Sequence, residues 1–235
     1  ADVTYAACSM LAVWLLLKDR PAWAMASFGL ALAFKLQAIF LLPLLLIVYF
    51  CREKKFSLLW FLLIPAVWIG LGVPMAAFGQ SPLYSVTAYL GQSESFSDMS
   101  TFNYPNLFAL LGDVTSQNQT IRGMMQRYGI VLAAGALGCM AAWLMYKRVR
   151  LSNRALLLLG SWCVLACVFF LPRMHERYGL VGEVLLLLWA IVLWKPRGFA
   201  YALLGALPVV SAYCKYMCKN PIFPLKLGGA INLLV

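Results

Sequence analysis

Charged residues occur in short clusters between long apolar runs, and this spacing constrains the fold more than any other feature of the chain. Only 11% of the 235 residues are charged, 63% are hydrophobic, and the mean hydropathy is +0.83. A soluble domain carries about a quarter charged residues. Because about 20 consecutive apolar residues cross the hydrocarbon core of a bilayer, the pattern excludes a soluble fold and predicts an all-α polytopic transmembrane helix bundle.

The apolar runs differ in how well they match one crossing. Clear spans lie at about 57–78, 128–146, 155–171 and 198–213, and weaker ones at 3–17, 179–194 and 222–235. The run 21–51 is too long for one ordinary helix, and we divide it into short helices at 21–34 and 37–50. The sequence therefore predicts about nine crossings in a single domain over 1–235, with one long external loop at 79–127.

The basic clusters support two crossings within 21–51. Eleven of the 19 basic residues lie in four clusters: Lys18 and Arg20; Arg52, Lys54 and Lys55; Lys147, Arg148, Arg150 and Arg154; Lys195 and Arg197. Lys and Arg near membrane ends accumulate on the cytoplasmic side. With two crossings all four clusters face that side, whereas one crossing places the first cluster opposite the others. No basic stripe with interleaved aromatics lies on a soluble segment, so we expect no nucleic-acid partner.

Polar residues that this charge bias does not explain collect on the outer face. Lys35 and Gln37, in the turn between the two short helices, are candidates for binding a polar or anionic ligand. The alternative for Lys35 is a side chain that extends along lipid to the interface. Asp2 is a candidate general base, and the alternative is an acidic residue favoured by the helix dipole.

The segment from Arg173 to Tyr178 is the densest candidate site. Arg173 and Arg177 have i, i+4 spacing, which on a helix would form a fork suited to a phosphate. His175 and Glu176 offer proton transfer or hydrogen bonds to sugar hydroxyls. The alternative is a solvated turn with an internal Arg–Glu ion pair. Glu183 follows inside an apolar run, where a carboxylate is a functional candidate.

Three segments together with the N-terminal residues resemble a known family. They are Phe34–Pro43, Asn103–Leu107 and Met174–Tyr178, together with Asp2–Tyr5. The set resembles bacterial membrane glycosyltransferases of the GT-C superfamily, in the branch related to GPI mannosyltransferases. The resemblance implies transfer of a hexose or mannose-like sugar from a polyprenyl-phosphate carrier to a glycan or glycolipid acceptor. The reaction would occur at the outer face of a bacterial cytoplasmic membrane.

Site roles follow from the resemblance and from the polar residues together. We expect Asp2, His175 and Glu176 to be catalytic. Binding of the lipid phosphate or sugar is expected of Lys35, Gln37, Asn106, Arg173, Arg177 and Tyr178. In GT-C enzymes an acidic residue of the first external loop usually serves in catalysis. Since the sequence has no initiator Met and stops inside an apolar run, we expect an internal fragment, with that loop upstream of Ala1.

Two other function classes remain open from the sequence. A transporter or flippase of lipid-linked saccharides would also place polar residues in a helix bundle, but along a path across the membrane. Clustering at one face favours the enzyme. An assembly subunit without activity is the third class. Beyond a polyprenyl-phosphate-linked sugar as donor, no cofactor is evident, and no sequence feature demands a metal: Cys163 and Cys167 lack a second pair of ligands.

Overall fold

The computed structural model describes residues 2–52, 56–81, 83, 87, 101–111 and 119–234, with side chains from 123 onward in the last range. Lys54, Lys55 and much of the predicted loop 79–127 lie outside the described residues. All regular structure within the described part is helical. Contacts group the chain into two compact units, Ala1–Ser97 and Asp98–Val235. The prediction of a single domain stays a prediction.

The described part of the first unit contains four α-helices and two 3₁₀ segments of named bounds. In chain order they are α1 (Asp2–Leu17), α2 (Pro21–Phe34), a 3₁₀ segment (Leu36–Leu41), α3 (Leu42–Cys51), a second 3₁₀ segment (Leu58–Leu62) and α4 (Leu63–Ala76). Pro21 and Pro43 stand in the first turn of α2 and α3. A proline is pre-organised there because the backbone N–H that it lacks has no partner within the helix. Pro43 therefore stands where α3 begins.

The chain reverses direction at Lys35, which is extended (φ −160°) between α2 and the first 3₁₀ segment. Lys35 forms an ion pair with Asp2 at the start of α1. Arg52, just after α3, donates to the carbonyl oxygen of Leu16 (2.6 Å) and pairs with Asp19 (2.6 Å), near the end of α1. Since a 16-residue helix is about 24 Å long, these contacts lie at opposite ends of α1. The predicted division of 21–51 into two antiparallel helices is confirmed.

Helix α2 is the centre of this unit and packs against both α1 and α4. Its buried face includes small residues, among them Ala24, Gly29 and Ala31. At Gly29 a Cβ atom would lie 2.6 Å from the backbone oxygen of Ile64. Small residues allow helix backbones to approach closely in a membrane, where van der Waals packing drives association. Gly29 thus sets the separation of α2 and α4.

The second unit is a series of helices that pack mainly on their neighbours in sequence. They are α5 (Leu107–Leu111), α6 (Gln119–Tyr146), α7 (Asn153–Phe170), α8 (Leu180–Leu193), α9 (Pro196–Cys218) and α10 (Leu225–Leu234). Each of α6 to α9 contacts the next helix in sequence, and α5 packs on α7 and α10. Short connections make neighbours antiparallel. The connections 147–152 and 194–195 therefore lie at one end of this unit, and 171–179 and 219–224 lie at the other.

Among the residues that the structure describes, four helical stretches are long and apolar enough to cross a membrane. They are Leu58–Ala76, Gly123–Tyr146, Asn153–Phe170 and Pro196–Cys218. They coincide with the four clear spans expected from the sequence. Shorter apolar helices, of 10 to 17 residues, occur at Asp2–Leu17, Pro21–Phe34, Leu36–Cys51, Leu180–Leu193 and Leu225–Leu234. The all-α polytopic bundle is confirmed.

The start of α6 differs more from the sequence prediction than the other span boundaries do. Helix α6 begins at Gln119, inside the predicted loop 79–127, whereas its apolar span was expected to begin at about 128. Hydropathy marks only where the helix enters an apolar environment, while backbone hydrogen bonds continue through polar residues such as Gln126. The polar first turns of α6 consequently extend beyond its apolar part.

Candidate functional site

Two segments of the second unit meet at the end of α7. The backbone N–H groups of Phe102 and Tyr104 both donate to the carbonyl oxygen of Met174, at 3.0 and 3.4 Å. Phe102 and Asn103 also form isolated β-bridges with His175. The motif segment Asn103–Leu107 and the motif segment Met174–Tyr178, recognised separately in the sequence, are therefore in direct contact.

His175 is held between aromatic rings. Its imidazole stacks on Phe102, with ring centroids 4.7 Å apart and an interplanar angle of 16°. The ring of Tyr178 meets it edge-on at 5.1 Å. The neighbouring Glu176 is buried, with 4% of its surface exposed, and Arg177 is exposed. A fixed imidazole beside a buried carboxylate and an exposed cation is a suitable arrangement for acid–base chemistry on a charged substrate.

Arg173 corrects one expectation. Residues 171–179 form turns and not a helix, so helical i, i+4 spacing does not align Arg173 with Arg177. Arg173 has a left-handed backbone (φ 63°), a conformation that costs a non-glycine residue about 1–2 kcal/mol. Its Nη2 donates to Oε1 of Gln126 on α6 (3.1 Å). Nε2 of Gln126 is buried and, within the described part of the chain, has no acceptor.

The side-chain amide of Asn106 forms hydrogen bonds to backbone atoms at the start of α5 and at the end of α7. Its Oδ1 accepts from the N–H of Ala109 (3.1 Å), which caps α5, and its Nδ2 donates to the carbonyl oxygen of Leu171 (3.3 Å). Asn106 is fully buried. Asn232 of α10 adds a bond to the carbonyl oxygen of Pro105 (2.9 Å). The geometry gives Asn106 a structural task, and its predicted contact with substrate stays a prediction.

A cavity of about 570 Å³ runs along α7. Its lining includes Leu151 before the start of the helix and Phe170 at its end, with Met140 and Trp143 contributed by α6. The lining is mostly apolar. Tyr104, from the segment that contacts His175, also lines it. The volume is within the range of small-molecule sites, which combine apolar walls with a few polar groups.

A second polar cluster lies in the first unit. The ammonium of Lys35 pairs with Asp2 and lies 5.3 Å from the ring centroid of Tyr5. Lys35 retains 15% of its side-chain surface exposed and Asp2 32%. Gln37 lies in the following 3₁₀ segment and is half-buried. The structure thus brings Asp2 and Lys35 together, which the sequence did not foresee, and both fit either an anion-binding role or a structural ion pair.

Sequence reasoning missed residues that the geometry brings into the site. Phe102 carries no charge and gave no polar signal. Gln126 is polar, but it was assigned to a loop and so gave no positional signal. Tyr104 had one, because it belongs to the recognised segment Asn103–Leu107. Among the described residues, no group of three or more His, Cys, Asp or Glu side chains is arranged to hold a metal ion.

The family comparison identifies the class of enzyme. No curated protein and no solved structure matches the chain. The model of the family described as Glycosyltransferase family 87 (GT87) matches residues 1–172. The matched part includes Asp2, Lys35, Gln37 and Asn106 and ends just before Arg173. Glycosyltransferase activity favours the enzyme over the transporter and the inactive subunit. With its bundle of apolar helices, the chain belongs to glycosyltransferase family 87 and is a multi-pass membrane protein.

Proposed function

We propose that the protein transfers a hexose or mannose-like sugar from a polyprenyl-phosphate carrier to a glycan or glycolipid acceptor. The reaction would take place at the outer face of a bacterial cytoplasmic membrane. The observation that carries the proposal is the contact between the 102–104 segment and the His175 turn, at one end of a long apolar cavity. Polar side chains beside an apolar cavity fit a substrate that joins a sugar phosphate to a lipid tail. The resemblance to GT-C mannosyltransferases points to the same donor class.

The cavity suits the isoprenoid part of the donor. It extends along the 18 residues of α7, which correspond to about 27 Å of helix. Tyr104 lines it near the end where the His175 turn lies, so a lipid tail in the cavity would present its phosphate toward that turn. Burial of apolar surface contributes about 25 cal/mol for each Å² removed from water. The tail would therefore supply binding free energy, and the residues of the turn would carry out the reaction.

Cations of the turn would receive the phosphate. Arg173 carries a guanidinium, and the adjacent Gln126 Nε2 is a buried donor that lacks an acceptor among the described residues. Leaving such a donor unsatisfied costs about 1–3 kcal/mol. A phosphate oxygen would satisfy Gln126 and pair with Arg173 at the same time. Arg177 is exposed on the same turn and is the second cation that we assign to the phosphate.

The reaction exchanges one bond at the anomeric carbon. The acceptor oxygen forms a bond to that carbon, the bond from the carbon to the phosphate oxygen breaks, and the acceptor proton passes to a carboxylate. The leaving polyprenyl phosphate gains negative charge as the bond breaks. Fixed cations consequently stabilise the transition state more than the ground state. Glu176 is the carboxylate that we propose for the proton, and His175 would hydrogen-bond the sugar or the phosphate.

The test is sugar transfer by the full-length protein in membrane vesicles. Radiolabelled mannose or glucose would be supplied on polyprenyl phosphate, with GDP-mannose and UDP-glucose as alternative donors and membrane glycolipids as acceptors. We expect transfer from the polyprenyl donor only. His175→Ala and Arg177→Ala should each lower the rate about 10²–10³-fold, the loss typical of a missing charge-stabilising group.

The matched control is Arg197→Ala, which removes an exposed Arg at the opposite end of the second unit. It should turn over like the unaltered protein. Transfer from a nucleotide sugar in membranes free of polyprenyl-linked sugar would overturn the donor assignment. Normal rates in the His175 and Arg177 variants would overturn the site.

A further inference from the structure

Glu183 is a half-buried residue of the second unit to which the proposed reaction gives no task. It lies in the first turn of α8, where its N–H donates to the carbonyl oxygen of Gly179 (3.0 Å). Its Oε1 is buried and has no hydrogen-bond partner among the residues that the structure describes. Burying a carboxylate oxygen without a partner is costly. Glu183 therefore requires an explanation in terms of a neighbouring donor.

The hydroxyl of Tyr104 lies close to the carboxylate of Glu183. A Cβ atom at Gly179 would lie 2.5 Å from Oε1 of Glu183 and 3.0 Å from the hydroxyl oxygen of Tyr104. Both polar atoms therefore approach the same point beside the Gly179 backbone, and only a glycine leaves room for them. Burial, and after it the charge of Glu183, raises the pKa of Tyr104 well above its ordinary value. The phenol keeps its proton and is available as a donor.

A hydrogen bond from the Tyr104 hydroxyl would also restrict the position of His175. The backbone N–H of Tyr104 donates to the carbonyl oxygen of Met174, and two residues earlier Phe102 makes the same bond and stacks on the imidazole. Tyr104 is itself nearly fully buried, with 2% of its surface exposed. Fixing its hydroxyl would thus fix the position of the ring that holds His175.

We propose that Glu183 is a positioning residue whose carboxylate accepts a hydrogen bond from Tyr104, long in the free enzyme and shorter in the substrate-bound enzyme, and so holds Phe102 against His175. Hydrogen bonds of this kind are often long without substrate and tighten in the complex. The inference rests on the proposed function in that it assigns His175 to the reaction. It adds a residue that touches no substrate and acts through Tyr104.

Kinetics of four variants of the full-length protein test this inference: Glu183→Gln, Glu183→Leu, Tyr104→Phe and the double variant Tyr104→Phe/Glu183→Leu. Glu183→Gln should stay within about 3-fold of normal kcat, because an amide oxygen also accepts the bond. Glu183→Leu and Tyr104→Phe should each lower kcat about 10–100-fold with the donor KM unchanged, since misplacing a catalytic group slows the chemical step. The double variant should be no slower than Glu183→Leu.

Several results would overturn the proposal. They are normal kcat in Tyr104→Phe, effects that multiply in the double variant, and a rise in KM alone, which would mean substrate binding. Tyr201→Phe, at an exposed tyrosine of α9, is the matched control and should change nothing. If Glu183→Leu does not fold, Tyr104→Phe alone decides between lowered and normal kcat.

A double-mutant cycle with the Tm as its readout, called the thermal cycle below, separates this proposal from the proposed function. Tyr104→Phe should lower the Tm by about 2–4 °C in the unaltered protein and by less than half of that in Glu183→Leu. Equal shifts in both backgrounds would overturn the pairing. If the unaltered protein transfers no sugar from a polyprenyl donor, the proposed function fails, while the thermal cycle still reports on Tyr104 and Glu183.

Discussion

Arg173 combines a cation with a backbone conformation that is unfavourable for its residue type. Its φ of 63° lies in the left-handed region, and strain of this kind persists where the surrounding structure imposes it, often at functional sites. Asn103, in the segment that contacts the same turn, is also left-handed (φ 65°). Asparagine tolerates this region better than arginine. The guanidinium is therefore the feature that explains why an arginine stands at 173.

Two substitutions of Arg173 distinguish the contribution of its guanidinium to activity from the cost of its backbone conformation. Arg173→Ala and Arg173→Gly should lower sugar transfer equally, because both lose the guanidinium. Glycine adopts positive φ without penalty, so the Gly variant should unfold at a temperature about 2–4 °C above that of the Ala variant. Initial rates and thermal unfolding in detergent measure the two effects. Activity retained by the Gly variant alone would mean that only the backbone matters.

At the scale of helices, close packing of α2 on α4 is the contact most sensitive to a single methyl group. A Cβ at Gly29 would lie 2.6 Å from backbone, whereas nothing lies within 4 Å of a Cβ at Gly70 on α4. Gly29→Ala should therefore destabilise the protein by about 1–3 kcal/mol through overpacking. Gly70→Ala is the matched control and should be neutral or slightly stabilising. Thermal unfolding of both variants in detergent checks the difference, and equal Tm values would contradict it.

The sequence predicted helices better than it predicted the site. Charge parity correctly divided 21–51, because the number of crossings decides on which side each basic cluster falls. Lys35 marks the point of reversal. The start of α6 was missed because hydropathy does not detect a helix that continues through polar residues. The helical fork of Arg173 and Arg177 was wrong, since spacing says nothing of a left-handed φ. Phe102 stacks on a residue far away in sequence, and no local pattern reports such a contact.

Across the whole molecule, the position of the basic clusters predicts orientation. Within each unit the described clusters lie at one end: Arg52 contacts the α1–α2 turn, and the connections 147–152 and 194–195 are at the same end of the second unit. The positive-inside rule assigns these ends to the cytoplasm. The His175 turn would then face outward, as the proposed reaction requires.

Thiol labelling in intact cells checks this orientation. Cys218 is exposed at the end of α9, and Tyr146, at the end of α6, is 81% exposed. With the other six cysteines changed to alanine, a membrane-impermeant maleimide should label Cys218 from outside. In the same background with Cys218→Ala, Tyr146→Cys should react only after permeabilisation. The reverse pattern would contradict the orientation, and labelling of both in intact cells would contradict a crossing between them.

The short helices have a consequence for the surrounding bilayer. Helices α2 and α8 have 14 residues each, about 21 Å, against a hydrocarbon core of about 30 Å. When a hydrophobic segment is too short, the bilayer thins around it at a modest cost for each Å of mismatch. Lipid headgroups beside these helices would sink toward the midplane, and the phosphate of a carrier lipid would sink with them. The protein would deform its membrane to the depth at which its substrate reacts.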